Sequence, residues 1–117
     1  MIYLASPYGH ADPVVREKRY REACRCAADL MRAGHHVFSP IAHSHGIAEH
    51  GVPGQWAYWE GFDRKCLQMC DELAVLMLDG WRQSTGVQAE IRMARELGKP
   101  ITYVRRKADI ANALGTP

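Results

Sequence analysis

The 117-residue chain has no apolar run approaching the ~20 residues that a membrane-spanning helix requires, so no membrane partner is expected. It also lacks a strong charge of either sign. Fifteen Lys and Arg against thirteen Asp and Glu leave a formal +2, too little to argue for nucleic acid or an anionic membrane surface. The basic residues are scattered except for Arg105-Arg106-Lys107, which follows an expected strand and reads as the end of an element. None of the four cysteines, Cys24, Cys26, Cys66 and Cys70, belongs to a Cys-x-x-Cys pair. Cys66 and Cys70 stand one helical turn apart and are compatible with a shared metal, but reduced thiols in a core are the stronger reading. No repeat, low-complexity tract or linker divides the sequence, which is the length of one domain with a small core. Met1 leads straight into Ile2-Tyr3-Leu4 without a basic segment or a long apolar core, so a cytoplasmic location is expected.

What is present is organised around Leu73 to Glu90, LAVLMLDGWRQSTGVQAE. Six apolar residues, Leu73 to Leu78, break at Asp79-Gly80, and a helical pattern restarts at Ser84-Thr85-Gly86. A buried strand, a loop and a helix N-terminus therefore follow one another. Ligands of open α/β sheets sit at such strand ends. Ser84 suits an N-cap, because its hydroxyl can accept from the free amides of the first turn. Gly86 would let a ligand approach the backbone, and the helix dipole favours an anion there. Glu90 lies six residues beyond Ser84, about 9 Å along the axis. Helical side chains lean toward the N-terminus, so its carboxylate can point at the ligand. A solvated helix glutamate behind an ordinary cap would give the same pattern.

Ahead of this stretch, Ile2-Tyr3-Leu4-Ala5 reads as a first buried strand, and Ser6-Pro7-Tyr8-Gly9-His10 as its ligand-side loop. Asp12-Pro13 reads as N-cap and first residue of a helix from about Val14 to Ala33, ended by Gly34. Its inward face is expected to use Tyr20, Ala23, Ala27, Leu30 and Met31. His36 to Ser39 is a second strand closed by Pro40, and Ile41 to Gly54 is expected to be a long irregular loop, carrying His43, His45 and His50. A helix from Trp56 to Met69 or Cys70 precedes the Leu73 strand. The helix from Ser84 ends near Leu97 with Gly98 and Pro100 after it, Ile101 to Val104 is a fourth strand, and Ala108 to Leu114 is a last short helix. This alternation predicts a Rossmann-like (flavodoxin-like) three-layer α/β fold with a parallel sheet of four to five strands. Right-handed crossovers favour the order 2-1-3-4. Ser6 to Gly9 and Asp79 to Gly86 should then face each other across one cleft.

Tyr3-Leu4-Ala5-Ser6, Asp63, Ser84-Thr85-Gly86-Val87-Gln88-Ala89-Glu90, Ala94 and Gly98-Lys99-Pro100 together resemble the nucleoside 2-deoxyribosyltransferase superfamily, including its nucleotide N-glycosidase branch, and within it a small bacterial or phage subgroup. The resemblance runs through nearly the whole chain to Val104. It implies Glu90 as a nucleophile toward the anomeric carbon of a (deoxy)ribosyl group, Asp63 as the group that protonates or holds the nucleobase, and Tyr3 as the residue orienting the nucleophile. Retaining glycosyl transfer needs one carboxylate as nucleophile and a second acid near the leaving atom. A nucleobase leaves poorly unless protonated, and an aspartate of raised pKa can supply that proton. In relatives acting on free nucleosides an aspartate typically stands at the position of Ser84. The serine points to a nucleoside 5′-monophosphate, because a carboxylate there would repel phosphate. The first loop lacks the arginine that the phosphate-binding branch tends to carry, leaving His10 or Arg16 to take its part.

The residues expected to meet the substrate are Ser6, Tyr8, Gly9, His43, His45, Asp79, Trp81, Ser84 and Gly86. Asp79 shapes the turn with Gly80, and Trp81 is preferred over Trp56 and Trp59 for stacking on a base because it sits in the ligand-side loop. His43-Ser44-His45 can present two imidazoles to one ion, but its spacing matches no standard zinc pattern, and a lid offering His43 or His45 to the ligand is preferred. Neither a cofactor nor a metal is expected. The partner is a small-molecule nucleotide or nucleoside, and the resemblance implies a homodimer or homotetramer. Two rival functions stand beside the enzyme: a non-catalytic nucleotide-binding or sensing domain of the same fold, and a metal hydrolase built on the His43–His50 loop.

Overall fold

The computed structural model describes residues 1–105 and 107–113. Four strands, β1 (Ile2–Ala5), β2 (Val37–Phe38), β3 (Glu72–Leu76) and β4 (Ile101–Val104), form one sheet in the order β2-β1-β3-β4. Every neighbouring pair is parallel, with Ile2 opposite both Val37 and Glu72, and Leu73 opposite Ile101. Among the described residues, five α-helices connect and flank the strands: α1 (Pro13–Arg32), α2 (Pro40–Ala48), α3 (Trp56–Met69), α4 (Thr85–Glu96) and α5 (Lys107–Ala113). A single 3₁₀ turn, Trp81–Gln83, lies between β3 and α4. The α/β class and the strand order are those expected from the sequence. Among the described residues, no helix is long and apolar enough to cross a membrane.

Alternation along the strands divides the core into two layers. Tyr3 and Ala5 of β1, with Leu73 and Val75 of β3, face Cys66 and Leu67 of α3 and Val87 and Ala94 of α4. Ile2, Leu4, Ala74 and Leu76 face Cys26, Ala27 and Leu30 of α1 and Ile110 of α5. This parity decides where chemistry can occur: Tyr3 falls in the layer that contains α3 and α4.

The helix ends follow their sequence signals. Asp12 caps α1 by accepting from the Val14 amide at 2.9 Å, Pro13 takes the first helical position, and Gly34 adopts φ +99° after the last turn. The inward stripe of α1 is Ala23, Cys26, Ala27 and Leu30. Met31, expected inside, is exposed, because it lies about 100° around the helix from Leu30.

The larger departure is the segment after β2. Pro40–Ala48, expected to be irregular, is helix α2. Ser39 is its N-cap, accepting from the Ala42 amide at 3.1 Å, and Pro40 is its first residue. The proline that reads as a strand terminator is here a helix initiator, the same Asx/Ser-Pro grammar that opens α1. Only residues 49–55 remain irregular. Of the expected last helix, Ala108 to Leu114, residues 108–113 lie in α5, and Leu114 lies outside the described residues.

Candidate active site

A cavity of about 840 Å³ opens at the carboxyl ends of β1 and β3. Its walls come from the β1–α1 loop (Ser6, Tyr8, Gly9), α2 (His45), α3 (Trp56, Trp59, Asp63) and the first turns of α4 (Ser84, Gly86, Glu90). The two loops expected to face each other do so. Arg19 of α1 ties them, donating from one guanidinium nitrogen to the Gly9 carbonyl at 2.9 Å and from another to the Asp79 carbonyl at 3.1 Å.

At the floor, Tyr3 lies behind Glu90 and donates its hydroxyl proton to Glu90 Oε2. Tyr3 has no exposed surface, and Glu90 is 4% exposed. Burial raises the Glu90 carboxyl to about 8; the Tyr3 hydrogen bond opposes the rise, and the charge of Asp63 adds to it. The phenol of Tyr3 is held far above its ordinary range by burial, then by Glu90 and Asp63, so it remains a donor. Asp63, also buried, is raised to about 7 by burial. Among the described residues, neither its Oδ1 nor the buried hydroxyl oxygen of Ser6 has a hydrogen-bond partner. Buried polar atoms without partners cost free energy, and these two belong to residues lining the cavity.

Ser84 caps α4 as expected, its Oγ accepting from the Val87 amide at 3.2 Å. Its hydroxyl proton is not used by that bond. Gly86 lines the cavity and also serves a second purpose. A Cβ there would stand 3.3 Å from Trp56 Cε3, so the glycine makes room for the indole, not for a ligand alone. His45 lines the cavity, hydrogen-bonded to Tyr8 at 2.7 Å and to Glu17 at 3.0 Å.

Three expected ligand contacts are not among the cavity-lining residues. His43 faces outward from α2 and stacks on Phe62 at 5.3 Å, because two residues along a helix turn it away from His45. Asp79 is exposed and contributes its carbonyl to Arg19. Trp81 packs against Tyr103 at 5.6 Å and against the α3–α4 layer. Trp56 and Trp59 line the cavity in its place, the latter donating its indole N–H to the Pro53 carbonyl at 2.8 Å. Both tryptophans open a helix that the sequence places beside the sheet, but only its rotation aims them. Glu17 and Glu49 also line the cavity, and nothing in the sequence separates them from solvated helix acids. Among the described residues, no three His, Cys, Asp or Glu side chains converge on a common metal position, and His43 and His45 point apart.

Residues 1–106 match the family described as "Domain of unknown function (DUF1937)", a span that includes every cavity-lining residue. The chain belongs to this family. No curated protein matches it.

Proposed function

We propose that the protein cleaves or transfers at the N-glycosidic bond of a nucleoside 5′-monophosphate or nucleoside, through Glu90 as nucleophile. The observation that carries this reading is the buried Glu90 carboxyl, bonded to Tyr3 and sharing one cavity with a second raised acid, Asp63. It agrees with the resemblance to the nucleoside 2-deoxyribosyltransferase superfamily.

In the first step a Glu90 carboxylate oxygen attacks C1′, and a C–O bond forms as the C1′–N bond breaks. The electron pair goes to the base nitrogen, and Asp63 supplies the proton that neutralises the departing base. In the second step water or another base attacks C1′ and releases Glu90, its proton passing to the Asp63 carboxylate. The tryptophans Trp56 and Trp59 offer aromatic faces for a base. Ser84, Ser6 and Arg16 supply hydroxyl and guanidinium groups at the cavity wall for a 5′-phosphate.

The productive state has Glu90 ionised and Asp63 protonated. In the ligand-free protein burial raises both carboxyls, and the charge of Asp63 raises Glu90 further, so the two share their titration near neutral pH. The positive charge that develops at C1′ beside Glu90 favours the productive arrangement, and the Tyr3 hydrogen bond stabilises the carboxylate throughout. Among the described residues Glu90 is paired with a phenol and not with an arginine or lysine, which supports turnover over binding alone. A homodimer or homotetramer belongs to the same reading, supported by exposed Tyr58, Phe62 and Met69 along α3.

The test is base release from a panel of nucleoside 5′-monophosphates and free nucleosides, with Glu90→Ala as control. Release from one class that vanishes in the variant is expected. No release, even with an acceptor base, alongside measurable nucleotide binding would replace the enzyme by the binding domain.

A further inference from the structure

Tyr8, His45 and Glu17 line the same cavity but take no part in the steps above. They come from the β1–α1 loop, α2 and α1, and they form one hydrogen-bonded chain. Glu17 Oε2 stands 3.0 Å from His45 Nε2, and His45 Nδ1 stands 2.7 Å from the Tyr8 hydroxyl. The imidazole is held in place: it stacks on Tyr20 at 4.0 Å with 16° between the planes, and Tyr8 meets it edge-on at 5.6 Å. The other Glu17 oxygen accepts from Arg21 Nε at 3.1 Å.

The chain has a direction. A carboxylate only accepts, so the ring proton sits on Nε2. A neutral ring with its proton there offers a lone pair at Nδ1, and the phenol donates to it. Tyr8 has one proton, and His45 takes it. Burial raises the Tyr8 pKa, with Glu17 and Glu49 adding and Arg16 opposing, so the phenol stays neutral and keeps that proton. Its oxygen has only lone pairs left to present.

We propose that Tyr8 is a specificity residue whose oxygen, held as an acceptor by His45 and Glu17, selects a ligand carrying an N–H or O–H donor at that place in the cavity. His45 and Glu17 are positioning residues. This rests on the nucleotide reading and deepens it: the donor is an exocyclic amine of the base or a hydroxyl of the sugar. A site built to bond a donor rejects an analogue that lacks it, because the acceptor, shut off from water by the ligand, is left unpaired.

The experiment is calorimetric binding at pH 8, above the ordinary imidazole range. AMP, GMP, CMP and UMP are compared, and the tightest binder becomes the parent. Its analogues lacking the 2′-hydroxyl, the 3′-hydroxyl or the exocyclic amine are then titrated into wild type, Tyr8→Phe and Glu17→Gln. In wild type one deletion weakens binding about tenfold. In Tyr8→Phe that same deletion has almost no further effect, and the arm that collapses tells amine from hydroxyl. Glu17→Gln, whose amide satisfies either ring tautomer, lowers the ratio severalfold although Tyr8 is untouched, an effect that lost packing at Tyr8 would not produce. Ratios that stay at their wild-type values in either variant overturn the proposal while leaving nucleotide binding intact. Failure of all four nucleotides to bind overturns it together with the nucleotide reading.

Discussion

Glu90→Gln should remove the candidate nucleophile and yet make the folded protein more resistant to alkaline pH. The Glu90 carboxyl rises from an ordinary 4.5 to about 8 in the folded chain, burial being the main cause. Between those values the native state keeps a proton that the unfolded chain has released. The associated stability is therefore full below about pH 4.5 and is lost as pH rises through about 8. At ~1.4 kcal/mol per unit the shift sets a ceiling of about 5 kcal/mol, and relaxation of the buried pair reduces the effect to on the order of 3 kcal/mol. Glutamine keeps the side-chain volume and an oxygen for the Tyr3 hydroxyl, but it adds an amide N–H₂ in a buried place, at a pH-independent cost of about 1–3 kcal/mol. The assay is urea unfolding of both proteins at pH 5, 6, 7, 8 and 9. Wild type is expected to be the more stable at pH 5, with the difference shrinking or reversing by on the order of 3 kcal/mol at pH 9. Parallel stability curves would refute the assignment of Glu90 as a buried, ionisable carboxyl.

Asp63→Asn should lower turnover by about 10²- to 10⁴-fold, the usual contribution of a general acid, and should abolish the falling, alkaline limb of the pH–rate profile while nucleotides still bind. Tyr3→Phe removes the hydrogen bond that holds the Glu90 pKa down. Turnover at a fixed pH on the acid limb of the pH–rate profile should fall about 10- to 100-fold, with the fold preserved by circular dichroism. Ser39→Ala deletes the α2 cap and should cost about 1 kcal/mol in urea unfolding, a loss absent if the segment were irregular.

Local grammar made much of the scaffold legible. Alternating apolar runs and amphipathic stretches, with Asp12-Pro13 opening α1 and Gly34 and Gly98 following helices, each act within a few residues. The handedness of crossover connections then leaves few strand orders open, and the observed one is the simplest. Ser84 was legible as a cap for the same local reason. The α2 helix was not, because its histidines and glycine resemble a loop and its Ser39-Pro40 start also reads as the end of a strand.

The sequence by itself determined the order and type of most elements, the caps, and the residue types available for chemistry, because these depend on short-range sterics, hydrogen bonding and periodicity. Only the tertiary structure decided which of those residues meet. Tyr3 and Glu90 are 87 positions apart, and their bond exists because strand parity puts Tyr3 on the α4 side of the sheet. The same helix rotations send His45 inward and His43 outward, and bring Trp56 and Trp59 to the cavity while Trp81 turns to Tyr103. Glu17 shows the point most simply: on its helix it is one acid among several, and it becomes part of a directed chain only where α1 and α2 pack together.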